Sequence, residues 1–419
     1  MQSNYNNLGN FCTATSGRRP KKRADGPTNY FSLGGKHITK DNRIDIGDDD
    51  WFLKESDYDK SSKGGKIEES CILLVKDGAT IGKIALHTQD ESNMKYAINE
   101  HLYKITTKNE KELRGLYNLL SSKYGKTQID KCITGSAQPG LNRRFLRFIR
   151  VPTDDSGALN CDTPLANELD KLYIDSRNYI DKASVLLESI FEGLFAQNSE
   201  NECFESDVGM LPKGSECMII GDVIESISSG SRPSGGAVEE GVVSIGAENV
   251  LGVGIHRFDK EKYVPVEYFE KMEKNPNNRG IVENRDVLLY KDGAKLGRVS
   301  LVGNGFPHEK CCVNEHIFIL RTNEHCSQIY LYCWLKYIEK EFNYIGLLNS
   351  NSAQPGINSS KVKRIPIAIL PPQIMDVFES KANEIVNSIL DAANMGQKCI
   401  EMSRFEKDQV FNNWANVIE

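Results

Sequence analysis

"GSAQPGLN" (residues 135–142) and "NSAQPGIN" (residues 351–358) are one phrase written twice, 216 positions apart, in a chain of 419 residues. If the chain is an internal duplication, other phrases should match in the same order near the same offset. They do. "KDGATIGKIAL" (76–86) matches "KDGAKLGRVSL" (291–301), and "NEHL" (99–102) matches "NEHI" (314–317), both at an offset of 215. Upstream, "SGRRP" (16–20) matches "SGSRP" (229–233), and "FSLGGKHI" (31–38) matches "VSIGAENV" (243–250). The offset drifts by a few residues, as loop insertions produce. The chain is a tandem repeat of two similar halves.

Charge follows the repeat. Residues 1–152 carry 26 Lys and Arg against 18 Asp and Glu, and residues 153–210 carry 3 against 13. Residues 211–370 carry 19 of each, and residues 371–419 carry 4 against 8. Each half therefore has a more basic first part and an acidic second part. Hydrophobic content of 39% fits a globular protein rather than a disordered one. No apolar run approaches the roughly 20 residues that cross a bilayer. The opening "MQSNYNNLGN" lacks the basic and apolar regions of a secretion signal, so a cytoplasmic protein with reduced, packed cysteines is expected.

The second part of each half reads as one long helix. From Leu165, apolar residues recur at Leu169, Leu172, Tyr179, Ala183, Leu186, Ile190 and Leu194, a heptad-like seam. Pro164 follows Asp162 and Thr163, the order expected for caps and a first-turn proline. The second seam starts at Pro371 and Pro372 and runs through Ile374, Phe378, Ile385, Ile389, Ala392 and Cys399 to Trp414, with Gly396 expected to interrupt it. A single amphipathic helix of this length cannot bury its stripe alone, but two can bury each other.

The first parts are β-rich. Residues 71–86 and 286–302 each read as an apolar strand, a turn at Asp-Gly and a second strand. Strands at 104–106 and 317–320, then helices at 112–124 and 329–342, complete a mixed α/β globule. The repeated phrase sits on the loop that hands each globule to its long helix, with exit strands at 148–151 and 364–369. Only seven residues precede Leu8, so a curtailed opening strand is expected in the first globule. The expected fold is α/β (α+β): 1–152 a first globule, 153–200 a spacer helix, 208–370 a second globule, 371–419 a second spacer helix.

Enzyme motifs are incomplete. "GATIGKI" (78–84) is one residue short of a phosphate loop and lacks its Ser/Thr. "NPNN" (275–278) lacks the aromatic that an adenine methyltransferase uses on a flipped base. Cys311-Cys312 has no second pair for zinc. His101 and His316 each follow a glutamate, but no nucleophile or metal-ligand set accompanies them, so structural histidines are expected. No catalytic or metal residues are assigned.

The Ser-Gly-x-Arg-Pro opening, the "KDGAxxG" hairpin, the "SAQPGxN" closure and a heptad helix after "IPIAILPPQ" together resemble the specificity subunit of a Type I restriction–modification system, over 8–195 and 211–417. The resemblance implies that each globule is a target recognition domain for one half of a bipartite double-stranded DNA site. It also implies an antiparallel coiled coil between the globules and a pseudo-twofold repeat. The expected partners are two adenine-N6 methyltransferase subunits and the translocating endonuclease subunits; S-adenosylmethionine, ATP and magnesium are expected on those, and no cofactor on this chain. The alternative is a recognition subunit of another phage-defence or modification complex with a different catalytic partner. A catalytic NTPase or methyltransferase is a third class, which the incomplete motifs disfavour.

Candidate DNA-contacting residues follow from chemistry. Ser16, Arg18, Arg19, Lys21, Lys22 and Arg23 place five basic side chains around Pro20, suited to phosphates or guanine edges. Ser231, Arg232 and Ser234 are the less basic counterpart. Gln138, Asn142, Gln354 and Asn358 have amides that can pair with adenine. Both halves keep them, which equally fits a shared structural role in the handover loop.

Overall fold

In the computed structural model the residues described are 4–40, 42–46, 51–61, 64–88, 94–135, 139–196, 203–206, 209–275, 280–303, 305–348 and 356–418. They divide into two compact units. Unit 1 comprises residues 1–171 and 399–419, and unit 2 comprises residues 172–398.

Unit 1 is built on a four-stranded antiparallel sheet of β1 (Cys12–Ser16), β2 (Cys71–Val75), β3 (Ile84–His87) and β4 (Leu102–Thr107), in the order β1-β4-β2-β3. The run "CILLV" of β2 is buried at every position, which is why it reads as continuously apolar rather than alternating. Two faces of the sheet are covered. One packs Ile72, Leu74 and Ile105 with the helix α1 (Glu110–Ser121), through Leu116 and Leu120. The other packs Leu73 and Val75 with Phe31 and Leu33 of the strand Tyr30–Leu33, which pairs in parallel with Lys95–Ile98.

Unit 2 repeats this plan with β5 (Ile224–Ser229), β6 (Val287–Tyr290), β7 (Val299–Leu301) and β8 (Ile317–Thr322), in the order β5-β8-β6-β7. The strand Val242–Ile245 pairs in parallel with Cys311–Val313, as Tyr30–Leu33 does with Lys95–Ile98. The duplication in sequence is thus a duplication of strand order. The strand Ile317–Thr322 and the helix Gln328–Phe342 lie where the periodicity put them. The exit strand expected at 148–151 starts at Arg150, because Phe148 ends a short helix.

Two long helices complete the units. The first, α2, spans Pro164–Ala196, and with Gln328–Phe342 as α3 the second is α4, Pro372–Ile418. Both run through the unit boundary, and within unit 2 they pack antiparallel. In unit 2 Ser176 lies against Gly396, the Tyr179 hydroxyl is 2.8 Å from the Ser388 hydroxyl, and the Phe191 and Phe378 rings are 5.4 Å apart. Phe191 is fully buried among Tyr330, Trp334 and Phe378, so this stretch of seam belongs to the core of unit 2. In unit 1 Ser403 and Lys407 of α4 bond Asp170 of α2 at 2.5 and 2.6 Å, and Phe411 is buried in the same core as α1.

Four further expectations need correction. The seam of α2 lies on a shifted face: Leu165, Leu172, Tyr179 and Leu186 are exposed, and Ala166, Leu169, Ile180, Ala183, Leu187 and Phe191 are buried. Gly396 does not interrupt α4: a Cβ there would lie 2.3 Å from the Ser176 hydroxyl, so glycine permits the close approach of two continuous helices. The opening strand of unit 1 is not curtailed: Asn4–Asn7 pairs at all four positions with Arg150–Thr153, as Glu216–Ile219 pairs with Pro366–Ile369. The helix expected at 112–124 breaks at Ser122, whose hydroxyl accepts from the Gly125 amide and caps a new helix, Lys123–Lys131.

The cysteines are packed as expected. Ten of the eleven cysteines are free thiols, and eight of these ten are buried; burial pushes the Cys71 and Cys311 thiols up to about 12. No helix of the described residues is long and apolar enough to cross a membrane.

Gly17 and Gly230 mark where each Ser-Gly-x-Arg-Pro loop leaves its sheet. A Cβ would lie 1.7 Å from the Ile98 carbonyl oxygen in one case and 1.7 Å from that of Val313 in the other. Backbone cannot yield as a side-chain tip can. Gly17→Ala and Gly230→Ala are each expected to destabilise their unit by roughly 3 kcal/mol or more, the upper end of overpacking, read as a drop in thermal midpoint. Wild-type melting of either variant would contradict this close packing.

Candidate functional site

The phrases that repeat in sequence meet in space, separately in each unit. In unit 1 the Leu141 amide donates to the Lys76 carbonyl at 2.7 Å, and the Lys76 amide donates to the His101 carbonyl at 3.0 Å. "KDG", "NEH" and "PGLN" are thereby stitched together. The His101 ring is bonded through Nδ1 to the Asp77 carboxylate, and its Nε2 lies 3.3 Å from Glu100. Its amide donates to Asn99 Oδ1 at 2.9 Å.

Unit 2 reproduces the arrangement bond for bond. Ile357 donates to the Lys291 carbonyl at 2.8 Å and Lys291 to the His316 carbonyl at 3.0 Å. His316 Nδ1 lies 2.9 Å from Asp292, Nε2 lies 3.2 Å from Glu315, and the His316 amide donates to Asn314 at 3.0 Å. The two histidines therefore have both ring nitrogens within reach of carboxylates. Lys291 donates to the Ser229 hydroxyl at 3.1 Å and sits 4.5 Å from the Phe318 ring. Burial lowers its pKa, against the pull of Asp292 and Glu315.

The Ser-Gly-x-Arg-Pro loop borders this frame in both units. Ser16 is half-buried and donates to the Leu102 carbonyl at 2.9 Å, and Ser229 donates to the Glu315 carbonyl at 3.2 Å. That role follows from the first serine of the motif and is structural. Beyond it the side chains emerge. Arg18, Arg19, Lys21, Lys22 and Arg23 are all exposed on irregular backbone. The Arg19 guanidinium lies 5.4 Å from the Trp51 ring, a cation–π arrangement that holds one charge in place. A cleft of about 400 Å³ opens here, lined by Arg19, Lys36, Trp51, Asp77, Thr80 and His101 among others.

Unit 2 differs in detail at the same place. Arg232, the counterpart of Arg19, pairs with Glu315, and its Nη2 is 3.1 Å from His316 Nε2. Two-thirds of its side chain remains exposed. Ser231 bonds the Tyr268 hydroxyl at 2.6 Å, and Ser234 is exposed. Arg232 is thus carried on a neutralising frame, whereas unit 1 presents a strongly cationic loop.

Gln138 and Gln354 lie outside the described residues. Asn142 accepts from the Arg144 amide at 2.9 Å, and Asn358 accepts from the Lys361 amide at 2.9 Å. Both asparagines are exposed, and each shapes the turn into a short helix, Phe145–Phe148 or Ser359–Lys363. The sequence reading missed Trp51, which faces Arg19 across a gap of 32 positions, and the Asp77–His101 and Asp292–His316 pairs, each 24 positions apart.

No protein-family profile and no curated protein matches the chain. Three solved structures are similar over nearly its full length. One is the S subunit of a Type I restriction–modification system from M. genitalium, 14% identical, with 99% of this chain and 96% of that one covered and a TM-score of 0.47. A second comes from work on complex assembly and conformational transition of the type I R-M system, at 15% identity, 97% coverage of each chain and a TM-score of 0.36. The third is the HsdS subunit from Thermoanaerobacter tengcongensis, at 14% identity, 98% and 96% coverage and a TM-score of 0.31. With identity this low and superposition this loose, the functional reading rests on the residues of the chain itself.

Proposed function

We propose that this chain is the DNA-recognition subunit of a Type I restriction–modification complex. In this reading each unit contacts one half of a bipartite double-stranded DNA target. The chain positions adenine-N6 methyltransferase subunits, and with them endonuclease subunits, on that target. It is itself non-catalytic and works in the cytoplasm, with S-adenosylmethionine, ATP and magnesium belonging to the partners.

The observation that carries the reading is the doubled constellation. Phrases remote in sequence are assembled into the same hydrogen-bonded frame in both units, each beside an arginine-bearing loop. One reader present twice, with a shared frame and divergent side chains at its rim, suits a target made of two unlike halves. Exposed Arg and Lys supply phosphate contacts, which position a protein on DNA, while base edges are read by the side chains that differ.

The test is methylome sequencing of a strain that gains or loses this chain while its methyltransferase partners are present. A bipartite adenine-methylated motif should appear or disappear with it. Unchanged adenine methylation would refute the reading, and co-purification of a different catalytic partner would assign the chain to another modification or defence complex.

A further inference from the structure

Unit 2 holds a side-chain cluster that has no part in the doubled frame. His256 and Glu261 lie on the segment leading into the strand Lys262–Val264, and His308 lies three residues before the strand Cys311–Val313. Both strands flank Val242–Ile245, Tyr263 on one side of Val243 and Cys311 on the other. The sheet thereby brings Glu261 and His308 together across 47 positions.

Their geometry converges on one point. Nε2 of His256 lies 2.8 Å from Oε1 of Glu261, and Nε2 of His308 lies 2.6 Å from the same oxygen. All three donor atoms fall within 4.8 Å of one another. The other Glu261 oxygen accepts from the Tyr263 hydroxyl at 3.0 Å, which fixes the carboxylate plane. His256 and Glu261 are almost wholly buried, while about a third of the His308 side chain is exposed. Phe258 packs on both imidazoles, at 4.8 and 5.7 Å, and shields the cluster from water on that side.

We propose that His256, Glu261 and His308 are the ligands of a divalent transition-metal ion of the zinc class, with a fourth position open towards solvent beside His308. Two imidazole nitrogens and one carboxylate oxygen are a donor set that such ions favour, at about 2.0–2.2 Å from the metal. Tetrahedral geometry at those bond lengths sets donors roughly 3.3 Å apart. To hold the ion, each nitrogen must therefore draw back from the Glu261 oxygen by about 0.5–0.7 Å, with the two nitrogens, within 4.8 Å of each other, settling at the same separation. The Tyr263 hydroxyl is the kind of outer partner that orients a ligating carboxylate. Among the described residues this is the one cluster of its type, and it belongs to unit 2. The ion would clip the 256–261 segment to the turn at His308, a stabilisation private to that half of the repeat. The site stands independently of the DNA-recognition reading.

The test uses the full, tag-free chain, stripped with a chelator and titrated with zinc against a competing chromophoric chelator, with thermal unfolding followed in zinc and in chelator. Wild type should take up one zinc ion more per chain than His308→Ala, and zinc should raise the melting midpoint of wild type only. Glu261→Gln keeps the side-chain shape while removing the anionic donor, and it should lose the same ion; it carries the test if the alanine variant does not fold. Equal uptake by wild type and a folded variant, or a wild-type midpoint indifferent to zinc, overturns the proposal and leaves a hydrogen-bonded cluster of two histidines on a glutamate.

Discussion

Replacing Arg18, Arg19, Lys21 and Lys22 together by alanine is expected to weaken DNA binding by up to roughly 10³–10⁴-fold at 0.1 M salt. It should also flatten the dependence of affinity on salt. Each phosphate contact releases counterions and contributes about 0.9 to the log–log slope, so four contacts contribute about 3.6. All four side chains are exposed on irregular backbone, where substitutions usually change stability by less than about 0.5 kcal/mol. Arg19 is the exception, since it lies over Trp51 and forfeits roughly 0.5–1 kcal/mol of cation–π contact. Binding to a target duplex, measured at several salt concentrations with methyltransferase partners present, separates the readings. An unchanged slope in a folded variant would mean that the loop is only solvated. Arg232→Ala should cost far less, at most about 0.9 in slope, because Glu315 already neutralises that guanidinium.

The basic run of the first loop is legible in the sequence, whereas the pairing of Arg232 with Glu315 in the second is not. The duplication, the apolar strands and the existence of the long helices are written in local pattern, because burial on a sheet face or a helix stripe leaves a period in the chain. The face of the first helix is not, since Leu172, Tyr179 and Leu186 are exposed and Ile180, Leu187 and Phe191 are buried. "CILLV" is buried throughout, and the sequence reads it correctly as a strand. "NYNN" of the opening strand carries no such period. It is a largely exposed strand paired on one side, specified by its partner Arg150–Thr153 rather than by its own residues. Gly396 misleads for a related reason. Glycine lowers intrinsic helix propensity, but here it leaves room for the Ser176 hydroxyl, which stands 2.3 Å from where a Cβ would be. The site was legible in part: the repeated phrases marked it, and the basic loop was visible as a charge run. That "KDG" would engage "NEH" through an Asp–His pair, or that Trp51 would meet Arg19, depends on chain crossings that no local pattern records. The His256–Glu261–His308 cluster is hidden likewise, since His308 is 47 positions from Glu261 and no metal-ligand spacing connects them.

Deleting one matched heptad from each long helix, residues 172–178 and 392–398, should shorten the spacer in the recognised DNA target by about three base pairs while leaving both half-site sequences unchanged. The two segments face each other, since Ser176 opposes Gly396 and the close contact is removed as a pair. Seven residues are nearly two helical turns, so the apolar seam stays in phase with only about 20° of drift. The paired helices lose roughly 10 Å at 1.5 Å per residue, and DNA advances about 3.4 Å per base pair. The half-site sequences should survive because the strands and loops that border each doubled frame are untouched. Some affinity should be lost, because three base pairs also rotate one half-site relative to the other and the duplex must twist to compensate. Selection from a library with two fixed half-sites and a randomised spacer length reads the outcome directly. Recovery of the parental spacer by a folded variant that still binds would show that the helices do not set the distance, and the ruler role would fall while DNA recognition by the two units stood.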